Sequence, residues 1–94
     1  NHTLSRLAIY KVNNDDSISK LTQDIEGNVS ETYLTSDKSN NLLLGGNFYF
    51  DYTAGALFSI EQGAGNEPLV AQGFGIFIAK YSENGECQWS KVIK

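Results

Sequence analysis

Ninety-four residues make one small domain or a piece of a larger one, and 40% apolar residues are enough for a globular core. A net charge of −4 with no run of Lys or Arg would repel a phosphate backbone, so nucleic acid is not an expected partner. No apolar stretch approaches the roughly 18 residues that a membrane-spanning helix needs, so membrane insertion is not expected either.

Taken in chain order, the first pattern is Leu7 to Ile25, two extended segments around the polar run Asn13-Asn14-Asp15-Asp16. Val29 to Thr35 is a second extended segment, and it ends in the turn cluster Ser36 to Asn41, which contains no apolar residue. Leu42 to Phe50 reads as a strand, because Gly45-Gly46 would break a helix within a turn. The paired glycines suit a bulge or a close approach of another backbone. From Asp51 to Gly75 the periodicity weakens, and five glycines and the single Pro68 fall there. That stretch reads as one long connection with a short strand near Ala56 to Ile60.

Ile76 to Tyr81 is a short apolar run rich in β-branched and aromatic residues, as a strand requires. Ser82-Glu83-Asn84-Gly85 follows, and Asn-Gly predicts a type I′ turn with positive φ at both central residues. Cys87 to Ile93 closes the hairpin with near alternation. No segment repeats apolar residues at helical spacing for long enough to form a helix. The chain is expected to be all-β.

The two ends can be aligned. Ile9 falls on Ile78, Lys11 on Lys80 and Val12 on Tyr81; with one extra residue in the first turn, Leu21 falls on Trp89, Thr22 on Ser90 and Ile25 on Ile93. An offset of about 68 to 69 residues is of the order that repeat architectures built of sheets leave behind.

The stretches SNNLLLGGNF and GFGIFIAKYSENGECQWSKVI resemble the β-propeller repeat family of bacterial secreted and surface proteins. Blades of that family read as a strand ending in Gly-x-Phe, a variable loop, a Phe-x-Ala-Lys strand, a turn with Gly and a strand with Trp. The matching positions are Gly46-Asn47-Phe48, Phe77-Ile78-Ala79-Lys80, Gly85 and Trp89. The match covers Val29 to Ile93, and more loosely Leu7 to Ile25. Where the family often has Asp two residues before the Phe of its third strand, this chain has Gly75, and its N-terminal copy lacks both the turn Gly and the Trp.

The resemblance implies an antiparallel four-stranded blade over residues 29–94, with strands near 29–35, 42–50, 76–81 and 86–93 and a long loop at 51–75. Residues 1–28 would be the outer hairpin of a preceding blade. One and a half blades would belong to a partial propeller or to one completed by other copies, with Phe77 and Trp89 packing between blades.

Residues with reactive side chains offer little chemistry. His2 is the only histidine and has no second His to help it bind a metal, no Ser has a partnering His, and Cys87, with no His near it in sequence, reads as a small half-buried side chain. Asp15-Asp16 lacks the spacing of a calcium loop, and Gly63-Ala64-Gly65-Asn66 lacks the Lys-Ser/Thr of a phosphate loop. Asp51 with Glu61 or Glu67 is the only carboxylate pairing worth naming, and nothing fixes its separation. Asn1-His2-Thr3 and Asn28-Val29-Ser30 fit the glycosylation acceptor pattern. No cofactor, metal or enzymatic role is expected.

Asn47-Phe48-Tyr49-Phe50-Asp51-Tyr52 is the stretch best suited to binding. Alternation sends its aromatics to both faces of a strand, and exposed Tyr beside Asp or Asn suits a sugar or a peptide. The expected contact residues are Asn47, Tyr49, Asp51, Tyr52 and Glu61. The expected function is a non-catalytic binding or scaffolding module for protein or glycan, outside the cell or on its surface. The alternatives are a structural blade that self-associates through its sheet edges and, third, part of a glycan-processing enzyme. The chain begins at Asn1 and not at Met, as a processed product or an excised segment would.

Overall fold

The computed structural model describes residues 6–49, 58–63, 65–71 and 73–93, and among them every regular element is a β-strand. β1 (Arg6–Leu7) pairs with β4 (Ile25–Glu26), and β2 (Tyr10–Val12) with β3 (Ile18–Lys20), all antiparallel. Arg6 to Glu26 is therefore one long hairpin with a break in its ladder. At the break Leu21 N–H donates to the Ile9 carbonyl at 2.8 Å, while Ile9 N–H donates to Thr22 Oγ1 at 2.9 Å. The buried hydroxyl stands in for a missing carbonyl and satisfies a donor that could not reach water.

β5 (Asn28–Ser36) and β6 (Leu42–Tyr49) come next, then β7 (Phe58–Ile60) and β8 (Leu69–Ala71), then β9 (Gly75–Tyr81) and β10 (Cys87–Ile93). One antiparallel sheet has the order β10-β9-β6-β5, so the four strands expected from the sequence pair as neighbours. Phe50, expected as the last residue of its strand, lies outside the described residues.

The expected long connection from Asp51 to Gly75 needs correction. Its described part forms the β7–β8 hairpin, which pairs with β4 through Glu26 and Ser59 in a second sheet of order β1-β4-β7-β8. Three-residue strands are too short to carry a readable period, and they persist here because Phe58 and Ile60 are buried in the core. β1 and β4 of the N-terminal hairpin thus share a sheet with β7 and β8.

The two sheets face each other, β1 against β5 and β8 against β10. Phe58 of one sheet stacks on Phe48 of the other with ring centroids 4.3 Å apart and 17° between planes, and lies 5.1 Å from Phe77. Leu44, Ala79, Tyr81, Ile25 and Ile60 complete the core. Each fully buried Phe contributes roughly 1.5–3 kcal/mol by leaving water. The core is aromatic and compact.

Three hairpin turns share one geometry. In Asn13–Ser17, Asp37–Asn41 and Ser82–Glu86 the first N–H donates to the fifth carbonyl, and the fourth N–H donates back to the first carbonyl. The fourth residue is left-handed in each: Asp16 at φ 68°, Asn40 at 64° and Gly85 at 87°. This is a type I turn followed by one left-handed residue. The expected type I′ turn at Asn84-Gly85 is therefore corrected, because only Gly85 has positive φ. Gly85 is also held by packing, since the Leu21 carbonyl occupies the place of a Cβ there.

The first and last turns share the same five-residue geometry, so the extra residue expected in the first turn is not there, and the alignment of the two ends fails beyond the turns. Lys80 faces Trp89, whereas Lys11 faces Ser19 and not Leu21. Because the middle turn has the same geometry, turn chemistry accounts for the likeness without a period.

Candidate functional site

Alternation along β6 sends Leu44, Gly46 and Phe48 into the core and Leu43, Gly45, Asn47 and Tyr49 to the outer face. Of the expected contact residues, Asn47 and Tyr49 therefore share one surface. Phe48 is core, and Asp51 and Tyr52 lie outside the described residues. Register places Ile93, Ile76, Asn47 and Ser30 side by side in one row, and Lys91, Ile78, Gly45 and Tyr33 in the next.

Gly45 contributes no side chain to its row. The gap is the floor of a hollow of about 310 Å³ lined by Tyr33, Gly45, Asn47, Ile76, Ile78 and Ile93. A second hollow of about 570 Å³ continues past Asn47 to Tyr49 and Phe74. Phe74 is 79% exposed, Tyr33 69%, Ile93 61% and Ile76 51%, so the surface is apolar and open to water. The rings of Tyr49 and Phe74 lie 6.4 Å apart at 24°, and Asn47 Nδ2 donates to Glu31 Oε2 at 3.3 Å.

Glu31 sits in this face because β5 is bulged. Glu31 and Thr32 together oppose Gly46, with Ser30 facing Asn47 and Tyr33 facing Gly45. The expected bulge at the paired glycines is thus present, carried by the partner strand. The space above Gly46 holds the Phe77 ring and the Thr32 methyl group, and a Cβ at Gly45 would meet the Phe77 carbonyl oxygen at 3.5 Å.

Glu61 does not join Asn47 and Tyr49. It lies beyond the opposite face of the four-stranded sheet, where its carbonyl accepts from Ser90 Oγ at 2.7 Å and from Cys87 Sγ at 3.4 Å. Its side chain lines a cleft of about 760 Å³ with Lys20, Gln23, Asn66, Glu86 and Cys87. Burial raises its carboxyl above the usual range. The same burial, helped by the Glu61 charge, pushes the Cys87 thiol up to about 11. At neutral pH that thiol keeps its proton and is a poor nucleophile.

The acidic turn is occupied by its own neighbours. Asp15 Oδ1 accepts from Ser17 N–H at 3.1 Å and from Ser17 Oγ at 2.6 Å, which lowers its carboxyl. Among the described residues no three His, Cys, Asp or Glu side chains come together as metal ligands would. There is no helix among them long and apolar enough to cross a membrane.

Sequence reasoning overlooked Tyr33, Phe74, Ile76, Ile78 and Ile93 as surface residues. The signal was the unbroken apolar run Ile76-Phe77-Ile78-Ala79, which marks a strand with two apolar faces when only one core is at hand. Comparison of the chain with known protein families, with curated proteins and with solved structures finds no match in any of the three.

Proposed function

We propose that the chain is a non-catalytic β-sheet module that docks a protein partner on the outer face of its four-stranded sheet. The observation that carries this reading is the exposed apolar set Tyr33, Ile76, Ile78 and Ile93 around the Gly45 hollow, continued by Phe74 in the adjoining one. Contiguous apolar patches on a folded chain mark sites of interaction. Aliphatic side chains favour protein over glycan. A sugar site needs free hydrogen-bonding groups beside a ring, and here Asn47 and Glu31 already bond each other.

Docking by the face is preferred to docking by an edge. Both edge strands of this sheet are bulged, β5 at Glu31-Thr32 and β10 at Gln88, and a bulge twists an edge away from an added strand. A sheet with two apolar faces is also what a propeller blade presents to its neighbours, so the reading agrees with the blade-like resemblance. That resemblance is the sole support for an extracellular setting.

Peptide and glycan arrays probed with the chain and two variants test the proposal. Peptide binding abolished by Ile78→Asp and kept by Glu61→Gln is the expected result. Binding that follows Glu61, binding to glycans alone, or hydrolysis of any array element would overturn it.

A further inference from the structure

A second apolar surface lies on the N-terminal hairpin. The β2–β3 ribbon has all six strand residues exposed, and its pairing puts Tyr10, Val12, Ile18 and Lys20 on one side. Val12 is 68% and Ile18 69% exposed, and these two face each other across the ribbon. Lys20 is neutralised by Asp24 at 2.6 Å, so that side is apolar with a masked charge at its base. A two-stranded ribbon standing alone is marginal in water and gains from being covered.

The ribbon cannot cover the outer face of its own chain. It continues β1 and β4, which belong to the sheet packed on the inner face. Resting on the docking reading above, we infer that the occupant of the outer face is the β2–β3 ribbon of a second copy of this chain, its Val12 and Ile18 seated over the Gly45 hollow. Charge fits this pairing. The ribbon ends in Asp15 and Asp16, while the outer face carries Lys91 in the row of Ile78 and Gly45; Lys80, one row further, is already paired with Asp37 at 3.5 Å. Lys91 lies over the Trp89 ring, 5.5 Å from its centroid, which holds the cation at the border of the apolar patch.

Because ribbon and face are different surfaces, the contact is head-to-tail, and it builds chains or rings of copies. With only four ribbon residues on that side, it falls far short of the roughly 20–30 residues a side of a standard interface, so assembly should depend steeply on concentration.

Sedimentation velocity over a roughly hundredfold range of concentration tests this, with one variant on each side of the contact. Val12→Asp spoils the ribbon. Gly45→Val fills the hollow, and a Cβ at position 45 meets only the Phe77 carbonyl at 3.5 Å, so the sheet accommodates it. Ile18→Thr is the milder ribbon variant should Val12→Asp melt the hairpin, and circular dichroism checks each fold.

The expected result has three parts. The unaltered chain forms oligomers larger than a dimer, each variant alone is monomeric, and an equimolar mixture of the two yields a heterodimer and nothing larger. The mixture retains one intact ribbon and one intact face, which is why it stops at two.

A monomeric unaltered chain would overturn the inference, and the array result would still decide the docking reading. Dispersal by Gly45→Val but not by the ribbon variants would mean two outer faces meeting, which sinks the ribbon and spares the docking face. Oligomers indifferent to all the variants would place the contact elsewhere and remove the self-docking role of the face.

Discussion

The ring of Phe48 fills the space in which a side chain at Gly75 would stand. A Cβ there would lie 2.6 Å from Phe48 Cζ and 2.8 Å from the Ile93 carbonyl oxygen. The ring cannot swing away, because Phe58 stacks on it from the other sheet. This accounts for Gly at position 75. Phe48 and Gly75 are also cross-strand partners, so sheet register and core packing meet at one point.

Gly75→Ala is therefore expected to destabilise the chain by about 1–3 kcal/mol, the usual cost of forcing extra volume into a packed site. Gly45→Ala, in the same sheet but facing outward, is expected to be neutral or to stabilise by about 0.5–1 kcal/mol through lost unfolded-state entropy. Urea unfolding of the two variants side by side measures both. Equal midpoints would mean that the Phe48 ring is not where the structure puts it.

Thr22 closes the break in the N-terminal hairpin. Thr22→Val keeps the volume and removes the acceptor, leaving the buried Ile9 N–H unpaired at a cost of about 1–3 kcal/mol. Thr22→Ser restores the acceptor and should recover most of the loss. Amide exchange gives the local readout: the Ile9 amide should lose protection in the Val variant and keep it in the Ser variant. Unchanged protection in both would dismiss the hydroxyl as the acceptor.

The strands of the four-stranded sheet were legible because each carries several β-branched or aromatic residues and ends at a polar turn. Alternation implied that the aromatics of residues 47–52 divide between the two faces, and in β6 Phe48 is core while Tyr49 is exposed. Phe58-Ser59-Ile60 was partly legible, but its hairpin partner Leu69–Ala71 was not, since a three-residue strand owes its existence to tertiary pairing. The outer face was hidden for another reason. A run such as Ile76 to Ala79 shows that both faces of a strand are apolar, but not which of them the chain itself covers. The turn at Asn84-Gly85 was read from its strongest dipeptide signal, yet hydrogen bonding from Ser82 to Glu86 spans five residues and requires only Gly85 to be left-handed.

Tyr81 is fully buried, and among the described residues its hydroxyl has no hydrogen-bond partner. Desolvating an unpaired hydroxyl costs about 1–3 kcal/mol, so Tyr81→Phe is expected to stabilise the chain by about 1 kcal/mol. A pH signature accompanies it. Burial, with the nearby Cys87 and Glu61 charges, raises the phenol above its ordinary value of 10.0. A raised folded value means the contribution is complete below 10.0 and is lost as pH rises beyond it, where the unfolded chain ionises more readily. The Phe variant lacks that loss, so its advantage should widen in alkali. A destabilised Tyr81→Phe would reveal a partner for the hydroxyl.

Glu61 and Asp37 should titrate against each other. Burial raises the Glu61 carboxyl, so the fold favours its protonated form; the contribution is present below the ordinary 4.5 and is lost as pH rises through the folded value. Asp37 is lowered, first by the Asn41 backbone N–H at 2.9 Å, then by the Asn41 side chain, Ser39 and Lys80. Its contribution is present above 3.8 and is lost as pH falls. Glu61→Gln should therefore stabilise the chain at neutral pH and have little effect on the acid side of 4.5, since its backbone carbonyl still receives Ser90 and Cys87. Asp37→Asn should do the reverse, destabilising at neutral pH with an effect that fades in acid. Unfolding midpoints across the acid range distinguish the two. A Glu61→Gln variant less stable than the parent at neutral pH would mean that the carboxylate has a cationic partner in the cleft, and the desolvation account of that site would fall.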